Sequence, residues 1–139
     1  LSKPATASNS HPACPVSDIN DGNPSESSRW AASDSTLPAW VEIDLGTPTR
    51  VNTLVLSENI VPEWATARIS EFALQKWNGS AFETVFTFQG TIGDEHIFKF
   101  DTIESEKVRI LISALRPDTS INSAGQTDPS LTEIELYCY

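Results

Sequence analysis

The sequence predicts an all-β protein, an antiparallel β-sandwich or jelly roll, on three observations. From Ala39 onward, short segments recur in which apolar residues alternate with polar ones and turn residues mark both ends, the pattern of half-buried strands. Those segments are rich in Val, Ile, Thr, Phe and Trp, side chains that suit a pleated, partly covered surface. No segment sustains the 3.6-residue period of a helix, and no internal repeat is visible. Many short strands without helices close as sandwiches or jelly rolls.

Taken in order, residues 1 to 39 are dominated by Ser, Asp, Asn, Pro and Ala and read as loop, apart from a short strand at "KPATAS". "AWVEIDLG" is the first clear strand, with Val41, Ile43 and Leu45 on one face, and Gly46 with Pro48 closes it. "RVNTLVLSE", "ISEFALQKW", "AFETVFTFQ", "HIFKFD", "KVRILIS" and "LTEIELYCY" follow as separate strands, about eight in all with the first. Asn78-Gly79 supplies the positive φ of a tight hairpin between "ISEFALQKW" and "AFETVFTFQ". Asn78-Gly79-Ser80 also reads as a glycosylation acceptor, although the turn alone accounts for those letters.

At 139 residues the chain fits a single domain over 1–139. Nine basic and nineteen acidic residues give a net charge of −10, which opposes attraction to nucleic acid or anionic lipid. No apolar run approaches a spanning helix, and "LSKPATAS" lacks both an initiating Met and a signal peptide's apolar core. The segment therefore reads as cut from a longer precursor. Cys14 and Cys138 are the two cysteines. They form either one bridge closing almost the whole chain, stabilising by about 3–5 kcal/mol in the chain-entropy account, or two separate thiols.

Catalytic motifs are missing from the sequence. His11 and His96 have no Cys or carboxylate company at metal-ligand spacing, and His96 reads as a surface residue at a strand start. No GxSxG elbow or phosphate-cradling glycine loop is present, so the expectation is a non-catalytic segment. The loop "DGNPSESSRWAA" is more informative. Asp18, Asp21, Asn23 and Ser28 offer the mixture of carboxylate, amide and hydroxyl oxygens that a hard cation such as calcium takes, with Gly22 relieving the backbone between them. A metal-free loop built on Asx turns would use similar letters.

"KPATAS", "DGNPSESSRWAA", "AWVEIDLGTPTRVNTLVLSE", "KVRILIS" and "LTEIELY", in this order and spacing, resemble the discoidin (coagulation factor five and eight type C) superfamily. The likeness is to its family 32 carbohydrate-binding modules (CBM32), most of all those appended to α-L-fucosidases. The resemblance covers nearly the whole chain. It implies an eight-stranded jelly roll with neighbouring termini and a structural Ca2+ held by Asp18 or the backbone beside it, Asp21, Asn23, Ser28 and Glu133. The neighbouring termini would bring Cys14 towards Cys138 as a disulfide. Trp30 and Trp40 match positions that pack in the core. Galactose-binding members generally carry a His after the loop Trp and an Arg after the following strand pair, where this chain has Ala31 and Glu58. Of the fucose-type His with two Arg, only Arg68 falls in the right region.

A sugar site still needs an aromatic face for the C–H side of a pyranose and a few fixed polar groups. The loop "SENIVPEWATAR" supplies Trp64 with Glu58, Asn59 and Arg68, and the later loop "ALRPDTSINSAGQTDPS" adds Arg116. The competing arrangement tucks Trp64 under its own loop and pairs Arg68 with Glu63 or Glu71. The expected function is a lectin-like glycan-binding module, for fucose- or galactose-type mono- or oligosaccharides, that tethers a linked enzyme or surface protein. Such a module would be secreted or on the cell surface, monomeric within a larger multidomain protein, and without nucleic-acid or membrane partners. The alternative on the same fold is a protein-interaction or adhesion domain.

Overall fold

The computed structural model describes residues 3–23, 25, 28–58, 67–116 and 129–139. Among these described residues eight strands run antiparallel: β1 (Ala5–Ala7), β2 (Trp30–Ala31), β3 (Ala39–Ser57), β4 (Ile69–Trp77), β5 (Phe82–Gln89), β6 (His96–Leu115), β7 (Ser130–Leu131) and β8 (Glu133–Tyr137). A 3-10 helix over Val16–Asn20 precedes the acidic loop. β2 pairs only with β7, and the remaining strands join in the order β1-β3-β6-β4-β5, with β8 also on β3.

Two strand pairs expected from the sequence are each one long strand. "AWVEIDLG" and "RVNTLVLSE" are both in β3, and "HIFKFD" and "KVRILIS" are both in β6. Gly46 has φ 87° and its N–H donates to Asp44 Oδ1 at 2.8 Å. These letters therefore make a bend within a strand, and the β3–β6 register slips between Asp44 and Thr49 and again between Val51 and Thr53. β4 pairs with β6 only from Val108 onward, whereas β8 pairs with β3 only over Thr53–Ser57. Each long strand thus serves two layers: β1, β4 and β5 flank the Ala39 half of β3 and the Val108 half of β6, and β8 flanks the other half of β3.

The rings lock these layers face to face. Phe98, on the His96 half of β6, contacts Phe72 of β4 at 5.2 Å and Phe86 and Phe88 of β5 at 5.7 and 4.9 Å between centroids, although those strands do not pair with that half of β6. Val41, Ile43, Leu54, Leu56, Phe72, Leu74, Ile110 and Ile112 fill the same core, at the alternation a half-buried strand requires. The Asn78 turn joins β4 to β5 as expected. Gly79 has φ 102°, and Asn78 Oδ1 accepts from Ser80 N and Ala81 N, each at 2.9 Å.

The sandwich has two poles. Ser57, Ile69, Gln89, Leu115 and Glu133 end their strands at one, here the loop pole; Gly46, Trp77, Phe82 and Tyr137 lie at the other, the hairpin pole. Trp30 is fully buried, its indole N–H donating to Asn9 O at 3.0 Å. Trp40 departs from the core position expected of it. Val41 and Ile43 take the inner face, so Trp40, Glu42 and Asp44 alternate outward, and the Arg109 guanidinium carbon lies 4.2 Å from the Trp40 ring centre.

Candidate functional site

The acidic loop and the last strand meet at the loop pole. Asp21 Oδ1 accepts from Asn23 N at 2.8 Å, and Asp21 Oδ2 accepts from the Ser28 hydroxyl. Gly22 N–H donates to both Glu133 oxygens, at 3.3 and 3.2 Å. Asp21, Asn23, Ser28 and Glu133, four of the five residues expected around a cation, are thus brought to one place. Asp18, expected there through its side chain or the backbone beside it, is on the 3-10 helix, where its Oδ1 takes the Ser17 hydroxyl at 3.5 Å. Among the described residues, no three His, Cys, Asp or Glu side chains form a metal-holding group.

Glu133 is 3% exposed. Burial, with Asp21 and Glu135 nearby, pushes its carboxyl up to about 7, against the opposing Gly22 hydrogen bond. Next to Asp21, Asn20 is 4% exposed; its Nδ2 donates to Lys3 O at 3.0 Å, and its Oδ1 has no hydrogen-bond partner. A buried carboxylate, Glu133, next to the exposed carboxylate of Asp21, with a hydroxyl and amide oxygens beside them, fits a hard cation's donor set. Sequence reasoning passed over Asn20, since only burial separates it from an ordinary polar loop residue.

The same pole gathers Glu58, Arg68 and Arg116. Glu58 is 4% exposed; its Oε1 accepts from Arg68 N and Ile69 N, both at 2.9 Å, and its Oε2 from Gly93 N at 3.1 Å. Burial raises its carboxyl above the usual range, with those N–H donors and the Arg116 charge pulling the other way. The expectation that Glu58 would meet sugar hydroxyls is corrected here: the carboxylate is a pin between loops, spent on backbone. Arg116 N donates to Arg68 O at 2.7 Å, and the Arg116 guanidinium donates to Gly90 O at 2.9 Å and to the Thr91 hydroxyl. Beside them His96, whose Nδ1 lies 3.2 Å from Thr91 O, stacks on Phe98 at 4.2 Å. Trp64 and Asn59, named from the sequence as partners of this site, lie outside the described residues.

Cys14 and Cys138 are free thiols, one buried and one exposed, so the expected bridge is not formed. The chain's ends do approach each other, since Lys3 and Tyr137 line one cavity of about 280 Å³. Cys14, however, has travelled away from that end: its carbonyl accepts from Ala31 N at 3.3 Å, and Ala31 pairs with Ser130. Cys138 lies five residues beyond Glu133 along an extended strand, roughly 16 Å at strand rise, whereas a bridge tolerates about 7 Å between Cα atoms.

A family model described as a NedA-like, galactose-binding domain of the F5/8 type C kind matches residues 18–110. No curated protein matches the chain. Among solved structures it is similar to chitosan-binding module 1 of the chitosanase/glucanase from Paenibacillus sp. IK-5, at 27% identity and TM-score 0.76, over 99% of this chain and 96% of that one. It shares its fold with the family 32 carbohydrate-binding module of NanJ from C. perfringens, in complex with galactose (18% identity, TM-score 0.78, 97% of this chain and 93% of that one). A GH29 fucosidase from Ruminococcus gnavus in complex with fucose also contains the fold (16%, TM-score 0.73, 98% of this chain). The chain spans about a quarter of such proteins, 25% of that fucosidase and 27% of SpGH29.

Proposed function

The chain belongs to the F5/8 type C family of NedA-like, galactose-binding domains, and on that premise we propose that it is a non-catalytic glycan-binding module with a structural calcium, tethering a linked enzyme or surface protein to sugars outside the cell. The observation that carries this reading is the 2.7 Å bond from Arg116 N to Arg68 O. It sets two guanidinium-bearing residues, Arg68 just before β4 and Arg116 just after β6, at one pole, with Trp64 four positions before Arg68 in the sequence. Trp64 then supplies the face for a pyranose, and Arg68, Arg116 and Asn59 supply donors to its hydroxyls. Glu58 acts as the positioning residue that fixes the Arg68 backbone.

Asp21, Asn23, Ser28 and Glu133 would hold the calcium, which would supply positive charge to the buried Glu133 carboxylate and the Asp21 carboxylate beside it and tie the loop to β8. The sugar-bound chitosan and galactose modules of the same fold support a neutral or amine-bearing glycan. Affinity per site is then weak, about 10 μM to 1 mM, and made useful by attachment.

A glycan array probed in calcium buffer tests the reading, with Trp64→Ala alongside. Selective signals that vanish in the variant are expected, with thermal stability kept within about 1 kcal/mol. A folded, calcium-loaded domain silent across the array would instead favour an adhesion role.

A further inference from the structure

At the hairpin pole, remote from Arg68 and Arg116, Pro48, Lys76, Trp77, Asn78, Glu104 and Glu106 line a cavity of about 380 Å³. Its existence follows from the bend in β3. Where the β3–β6 register slips between Asp44 and Thr49, Pro48 lies in the unpaired stretch opposite Glu106, and Glu104 follows in register with Arg50. The remaining wall is the end of β4, where Trp77 closes the sheet edge against Phe82 at 5.1 Å.

These walls are built rather than incidental. Ser105 is 3% exposed; its hydroxyl accepts from Trp77 N at 3.1 Å and lies 3.0 Å from Trp77 O and 2.6 Å from Lys107 O, toward which it can donate. One buried hydroxyl therefore ties the Trp77 wall to the carboxylate wall. Asn78 is fixed by its turn, and its Nδ2 donates to Glu83 at 2.8 Å. Lys107, which is not among the cavity-lining residues, stands 5.5 Å from the Trp77 ring centre.

An indole, a proline ring and two solvent-facing carboxylates form the pairing of apolar face and acceptors that a sugar needs. Among the lining residues the two carboxylates outnumber the Lys76 ammonium, with Lys107 beside the Trp77 ring and Arg50 opposite Glu104 outside the cavity lining; in a chain of net charge −10 the acidic lining favours a ligand that brings positive charge. We propose that this cavity is a second glycan subsite, for an amine-bearing sugar, with Trp77 under the pyranose and Glu104 and Glu106 on its ammonium and hydroxyls. It rests on the glycan-binding reading and extends it: sites at opposite poles let one module bridge two chains, raising avidity without further contacts.

The test is a titration of the whole domain with chitosan trisaccharide, following the indole N–H resonances of the four tryptophans. The Trp77 signal is expected to shift and saturate. A Glu104→Gln/Glu106→Gln variant, altered only at exposed positions, should weaken that response at least about tenfold through loss of charge-assisted hydrogen bonds. The response should persist in Trp64→Ala and weaken with added salt. An unmoved Trp77 signal, an undiminished response in the double variant, or its loss in Trp64→Ala would overturn the second site. Movement of Trp64 alone would leave the loop-pole reading intact while removing this one, and movement of Trp77 alone would do the reverse.

Discussion

At Glu58 a carboxylate is held almost out of water by three backbone N–H donors, and at Arg109 a guanidinium is held between two rings. Arg109 lies 4.2 Å from the Trp40 centre and 3.9 Å from the Phe82 centre, with Nη2 on Glu42 at 2.9 Å. That arrangement covers the aromatic faces of the outer sheet, so this surface is closed by its own side chains. Glu58 carries a testable pH dependence. Its carboxyl is raised in the folded state, chiefly by burial, so the native protein holds a proton that the unfolded chain releases near the ordinary value of 4.5. Its contribution is full below that value and is lost as pH rises through the folded pKa. Urea unfolding of wild type and Glu58→Gln from pH 4 to 8 should show the wild type losing ground to the variant as pH increases; parallel curves would disprove it.

At the scale of elements, turn chemistry in the sequence was read as the end of a strand, and in the structure it bends one. Gly46 shows why. Its φ of 87° suits glycine, and a Cβ there would meet nothing within 4 Å. The cost of replacing it is therefore backbone strain alone. Gly46→Val should lower stability by about 1–2 kcal/mol with an unchanged urea m value; no loss would mean that the bend does not depend on glycine. The Asn78-Gly79 turn was legible because local hydrogen bonds decide it. The continuity of β3 and β6 was not, because pairing with β8 and β4 on either side of the bend decides it.

Across the whole molecule, the loop pole joins residues more than a hundred positions apart, Gly22 to Glu133, and the proposed cation sits where they meet. Chelation should therefore lower the melting temperature. Saturation at a hundred times Kd is worth about 2.7 kcal/mol, or roughly 5–10 °C for a chain of this size. Asp21→Asn should abolish most of that response in a thermal-shift assay, and identical melting with and without chelator would remove the structural calcium. No helix among the described residues is long and apolar enough to cross a membrane, and the −10 charge favours an uncharged or cationic partner for the whole surface.

The sequence by itself determined the fold class, the approximate strand positions, the hairpin and the acidic loop. Alternation, β-branched content and turn residues act over a few positions and survive without tertiary context. It also named Asp21, Asn23, Ser28 and Glu133 together, through the resemblance of ordered motifs. Only the tertiary structure decided that Glu58 is a buried pin, that Trp40 faces outward, that Cys14 and Cys138 stand apart, and that Trp77 shares a cavity with Glu104 and Glu106. Each of those depends on which face of a strand turns inward and which loops share a pole. Both are settled by the packing of two layers, because strand pairing and burial couple residues far apart in the chain while local sequence records only near neighbours.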